Sequence, residues 1–167
     1  MVLTFIGFSG CGKSHLAQLF ANELGWKHFC CDSLIEELLS SELSQTEKAG
    51  TRRVAHWLGA PSSEGFLSRQ SAYLAAEQQV MEKICYEISH APRDERAIVD
   101  TTGSVIYMPQ SILDSLRAAS QVLYLRIPPS DEERMYQQYV RDPKPLIWLD
   151  TYKQSAGQSE EEALHAS

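Results

Sequence analysis

The chain opens on a strand-like apolar run, Val2-Leu3-Thr4-Phe5-Ile6, closed by Gly7, the pattern of a strand buried on both faces. After a glycine-rich turn the period changes: Leu16, Leu19, Phe20 and Leu24 recur at helical spacing, and Gly25 supplies a C-cap. Residues 26–31 predict a second strand, and Asp32 an N-cap for a helix carrying Leu34, Ile35, Leu38 and Leu39. Between 40 and 64 the signal weakens to one short helical patch at 53–58, broken by Pro61-Ser62-Ser63. A long helix is predicted over 66–89, with Tyr73, Leu74, Val80, Met81 and Ile84 on one stripe. Residues 97–99 form a third strand stopped by Asp100-Thr101-Thr102-Gly103, and Pro109 starts a helix with Ile112, Leu113 and Leu116 inward. Residues 121–127 form a fourth strand. Ser130 then caps a helix reaching Val140, with a capping box to Glu133.

Strands alternating with helices predict a parallel sheet between two helical layers, with a site at the carboxyl ends of the strands. One domain is expected over 1–153, followed by a polar, acidic and partly disordered tail over 154–167. No apolar run is long enough to span a bilayer, and no secretory signal precedes the first strand. The net charge of -7 argues against nucleic acid as the main partner, since a phosphate backbone needs a basic face. Cys11, Cys30, Cys31 and Cys85 have neither zinc-ligand nor disulfide-framework spacing; they are expected to be buried, reduced thiols, which places the chain in the cytoplasm. The five histidines are scattered and predict no metal cluster.

The chemistry is concentrated in Gly7-Phe8-Ser9-Gly10-Cys11-Gly12-Lys13-Ser14, a complete P-loop between the first strand and first helix. Its glycines let backbone N–H groups turn inward around phosphate oxygens, so Gly10, Cys11, Gly12, Lys13, Ser14 and His15 are the candidate nucleotide cradle. Lys13 reaches the β- and γ-phosphates and Ser14 ligates magnesium. The topology brings three more groups to the same edge. Asp32 is placed to orient and deprotonate an acceptor hydroxyl, and Asp100 to hold magnesium through water. Arg141 or Lys144, in the proline-stiffened segment 141–145, is the candidate lid cation. Arg52, Arg53 and Arg69 fall where an anionic acceptor could be anchored.

With these residues in hand, the chain resembles the shikimate kinase family of P-loop kinases over 1–147. The resemblance rests on the P-loop, on Asp32 followed by Ile35-Glu36, on Glu64-Gly65-Phe66, on Gly103-Ser104-Val105 and on Lys144-Pro145-Leu146. It implies a three-layer α-β-α P-loop nucleoside triphosphate hydrolase fold lacking its last edge strand. It also implies that Asp32 contacts the phosphorylated hydroxyl and that Lys144 stands where a lid arginine is typical. Four features depart from the family pattern. Cys30 replaces a metal-linked aspartate, Leu67 replaces the arginine that holds the shikimate carboxylate, and Thr101-Thr102-Gly103 replaces a triple glycine, setting side chains in the substrate's way. The chain also stops before the family's last substrate arginine and fifth strand.

The expected function is therefore transfer of the γ-phosphoryl group of ATP, with Mg2+, to a hydroxyl on a small metabolite, shikimate kinase-like with its substrate anchors altered. A nucleoside or nucleotide kinase, and a nucleotide-binding regulatory protein without turnover, are the alternatives.

Overall fold

The computed structural model describes residues 1–43, 50–142, 144–149, 152 and 158; Gln158 apart, the expected tail lies outside them. Four strands, β1 (Val2–Gly7), β2 (Lys27–Cys30), β3 (Ala97–Asp100) and β4 (Gln121–Leu125), form one sheet in the order β2-β3-β1-β4. Every pairing is parallel, so each strand presents its carboxyl end to the same edge. Parallel neighbours require crossovers, which the helices supply: α1 (Lys13–Leu24), α2 (Cys31–Leu38), α3 (Thr51–Leu58), α4 (Phe66–His90), α5 (Gln110–Ala119) and α6 (Glu132–Arg141).

Side-chain alternation along the strands separates two cores. Phe5 and Ile98 face α1, where Ala17 is fully buried and Leu16, Phe20 and Trp26 close the layer. Ala97 and Val99 face the other way, against Tyr73, Val80, Met81 and Ile84 of α4 and Ile112 and Leu116 of α5. With helices on both faces the central strands are buried on both sides, and β3 is buried at all four positions, the polar Asp100 at its carboxyl end included. β4 is an edge strand, leaving Leu123 and Tyr124 exposed, as expected of a sheet whose last strand is lacking among the described residues.

Several local expectations shift. Asp32 is not the N-cap of α2: the helix begins at Cys31, whose side chain is fully buried, with Cys30 in extended conformation at the N-cap, which places Asp32 inside the first turn. Ser130 lies inside a 3-10 turn, Pro129–Asp131, closed by the Asp131 N–H on the Pro128 carbonyl (2.9 Å), and α6 follows it. Leu19, Leu24 and Leu38 sit on helical stripes yet are exposed. Only Cys31 and Cys85 are buried thiols; Cys11 and Cys30 are partly open, because the P-loop and the strand end that carry them border a cleft.

A carboxylate inside α4 was not foreseen. Glu77 is fully buried and accepts hydrogen bonds from the hydroxyls of Thr102 and Ser104, the latter at 2.7 Å. The Ser104 N–H also donates to the Thr102 hydroxyl at 3.2 Å, so the loop after β3 is tied to the middle of α4. Both threonines line the cleft beside the P-loop while their hydroxyls are held by internal partners. Thr102 turns to Glu77, and Thr101 donates to the Phe5 carbonyl at 2.7 Å.

Burial raises the Glu77 pKa to about 7, against the hydrogen bonds from Thr102 and Ser104 and with a smaller push from Asp32. The folded state thus holds a proton that the unfolded chain releases near 4.5, so this group's contribution to stability is lost as pH rises from 4.5 to about 7. Glu77→Gln removes that loss. Its melting temperature relative to the parent should climb between about pH 5 and about pH 8, whereas a pH-independent difference would mean that Glu77 ionises freely in the fold.

Candidate active site

The loop between β1 and α1 is shaped by glycines that no other residue could replace at little cost. A Cβ on Gly7 (φ 147°) would lie 2.6 Å from the Leu125 carbonyl oxygen, and Gly12 (φ 100°) adopts the left-handed conformation that starts α1. Gly12 offers α1 no side-chain cap, so the first N–H groups of the helix remain available to an anion. Lys13 is nearly buried and its Nζ donates to the carbonyls of Gly7 (2.9 Å) and Phe8 (3.0 Å), folding the ammonium back over the loop.

Beside the loop lies a cleft of about 160 Å³, lined by Ser9, Gly10, Gly12, Lys13, Ser14 and His15 on one side. Asp32, Thr51, Tyr73, Thr101, Thr102, Gly103, Lys144 and Pro145 complete it. The volume is below the roughly 300–1,000 Å³ of a drug-sized ligand site. A wider groove of about 700 Å³ between α4 and α5, near Cys85 and Ile112, lies away from the loop and carries a single carboxylate, Glu82.

Burial pushes Asp32 up to about 6; Asp100 adds to the rise, and Lys13 and Lys144 oppose it. Asp100 is almost completely buried at the end of β3 and its pKa is also raised by burial, with Ser14, His28 and Lys13 acting against the rise. Neither Asp100 oxygen completes a hydrogen bond of normal geometry, although the Ser14 hydroxyl is close enough to favour the charged form. An unpaired buried carboxylate next to a serine hydroxyl at a helix start is a donor set that fits a divalent cation.

The cleft thus gathers Gly10, Gly12, Lys13, Ser14, His15, Asp32 and Lys144. Asp100 adjoins it from the core side, within electrostatic reach of both Asp32 and Lys13. Cys11 is in the loop but not on the cleft wall, and Arg141 is exposed in the last turn of α6, also off the wall. The three arginines considered as anchors are committed elsewhere. Arg52 makes a two-pronged bond to Asp142 (2.7 and 3.1 Å), Arg53 pairs with Glu36 (2.5 Å), and Arg69 bonds the Leu58 carbonyl and Ser63. Leu67 is strongly exposed.

Two contributors escaped the sequence reading. Tyr73 was recognised only as a core residue, yet it also walls the cleft. Gln70 is buried, and its side-chain oxygen accepts the N–H groups of Trp148 (3.0 Å) and Leu149 (3.3 Å). That clamp holds the segment after Lys144 against α4, and Leu149 takes a positive φ of 43° within it. A glutamine on an apolar helix face was the available signal. The histidines are not all scattered either: β2 and β3 bring His28 together with Cys30 and Asp100, because positions distant in sequence become neighbours across parallel strands.

No family model matches the chain. Over 123 residues it is 27% identical to a shikimate kinase of Chlorobium chlorochromatii, a match covering 73% of this chain and 50% of that protein. The chain thus spans half the length of this curated relative. Among solved structures it is similar to the shikimate kinase of Bacteroides thetaiotaomicron, with a TM-score of 0.59 and 15% identity over 99% of this chain and 74% of that one. It is similar also to the shikimate kinase of Acinetobacter baumannii solved in complex with shikimate, with a TM-score of 0.58 and 18% identity over 98% and 72% of the two chains. The parallel sheet, the glycine-shaped loop and these likenesses together establish a divergent shikimate-kinase-like fold, an α/β P-loop architecture.

Proposed function

We propose that this protein is an ATP-dependent phosphotransferase that moves the γ-phosphoryl group to a hydroxyl of a small metabolite. The reading rests above all on the position of Asp32: a carboxylate raised to about 6 in the same cleft as the P-loop lysine. A base of that strength is well matched to a hydroxyl near neutral pH.

The loop amides and the N-terminus of α1 bind the phosphates, and Lys13 exchanges its two backbone carbonyls for phosphate oxygens. Ser14 and Asp100 would hold the nucleotide's magnesium ion, which neutralises phosphate charge when bound. The acceptor oxygen forms its bond to the γ-phosphorus as the bond to ADP breaks, and Asp32 takes the hydroxyl proton. Lys13 and Lys144 stabilise the charge that spreads over the transferring group, and the Gln70 clamp keeps the Lys144 segment beside it. Among the described residues no arginine lines the cleft, so the acceptor expected is a neutral polyol or a weakly anionic hydroxylated compound rather than a carboxylate held by paired guanidiniums. Such an enzyme works in the cytoplasm, where ATP is supplied, and no helix among the described residues is long and apolar enough to cross a membrane.

The exposed Leu67 and the internally paired arginines favour a second reading, a nucleotide-binding regulator without acceptor turnover. Calorimetry with ATP and Mg2+, followed by a transfer screen over hydroxylated metabolites, separates the two. Tight binding without acceptor-dependent ADP release would support the regulator.

Lys13→Ala should weaken nucleotide binding roughly 10- to 100-fold, the loss of one charge-assisted contact set, while the fold persists by circular dichroism. Unaltered affinity would end the proposal. Asp32→Asn should leave nucleotide binding near the parent value and lower acceptor phosphorylation by about 10²- to 10⁴-fold. Retention of full turnover would remove Asp32 from the chemistry.

A further inference from the structure

We propose that His28, Cys30 and Asp100 form a binding site for a thiophilic divalent metal ion of the zinc class. Cys30 and Asp100 are register partners across β2 and β3, and His28, two residues before Cys30, projects from the same face. The histidine nitrogen, the cysteine sulfur and a carboxylate oxygen all lie within 4.8 Å of one another.

The second observation is a set of unsatisfied atoms. His28 Nε2 and both oxygens of Asp100 are buried without hydrogen-bond partners, and Asp100 is only 2% exposed. His28 Nε2 stands 3.8 Å from Asp100 Oδ2, too far for a hydrogen bond, so a simple internal pair does not satisfy either group. Tetrahedral zinc bonds of about 2.0–2.3 Å set ligand atoms roughly 3.3–3.8 Å apart, a spacing that His28 Nε2 and Asp100 Oδ2, at 3.8 Å, already reach. Neutral imidazole, thiolate and carboxylate together balance a double positive charge. Sulfur and nitrogen donors suit zinc or cobalt, whereas magnesium requires oxygen. The Ser33 hydroxyl, donating to Cys30 Sγ at 3.2 Å, orients the sulfur. Three protein ligands leave a fourth position open to water or an anion. Asp100 has a second oxygen for the magnesium role above, and the site stands whether or not phosphoryl transfer occurs.

The test is titration of the chelator-stripped full chain with Co2+ under a non-thiol reductant, read by absorption. One equivalent should produce intense tetrahedral d–d bands and a thiolate-to-cobalt charge-transfer band, both displaced by Zn2+. Cys30→Ser should abolish the charge-transfer band, His28→Ala should weaken binding by at least about tenfold, and Cys11→Ser should change neither. Circular dichroism confirms that each variant is folded. Absence of the bands in the folded parent, or their persistence in Cys30→Ser, overturns the proposal. Loss of ATP binding in Lys13→Ala, by contrast, tests the nucleotide reading and leaves the cobalt bands in place.

Discussion

A carboxylate taken out of water must find positive charge or give up its own, and Asp100 meets that constraint at the point where β3 reaches the P-loop. It is buried, neither oxygen is hydrogen-bonded, and the groups that favour its charged form are Ser14, His28 and Lys13. Asp32, a few residues past the neighbouring strand, feels Asp100 as a like charge and is raised by it. Asp32, Lys13 and Lys144 thus line one small cleft that Asp100 adjoins from the core side, and the charge of Asp100 bears on the ionisation of Asp32.

The same edge shows how departures from the family pattern are absorbed. Thr101 and Thr102 stand where the resemblance implies glycines, and hydroxyls there must be satisfied. They are, by the Phe5 carbonyl and by Glu77. Glu77 in turn requires the donors, since a lone carboxylate at the centre of α4 would be costly. Gly103, still a glycine, keeps the loop close to the P-loop: a Cβ there would sit 3.1 Å from the Ser9 nitrogen. The replacement at Leu67 has no such compensation within the cleft, and Arg52, Arg53 and Arg69 serve to fasten α3 and its flanks instead.

Much of the architecture was legible because its signals are local. Val2 to Gly7, the α4 stripe of Tyr73, Val80, Met81 and Ile84, and Pro109 before α5 each follow from backbone preference or side-chain period. Boundaries shifted at two places: α2 starts at the buried Cys31, before Asp32, and the Pro128 carbonyl closes a tight turn around Ser130. Exposed Leu19 and Leu24 show that helical spacing marks an amphipathic helix without fixing how wide its buried stripe is.

The sequence alone determined the glycine-shaped loop between β1 and α1, since a P-loop is continuous in the chain and its glycines set the backbone of neighbouring residues. It also determined the parallel, helix-covered sheet, because strand and helix periods alternate along the chain. The tertiary structure alone decided which of the dispersed polar residues meet. Lys144 reaches the cleft and Arg141 does not, Glu77 finds Thr102 and Ser104, and His28 and Cys30 face Asp100 across two strands. Those meetings depend on strand register and crossover packing, where a shift of one residue turns a side chain to the opposite face, and no short-range signal records it.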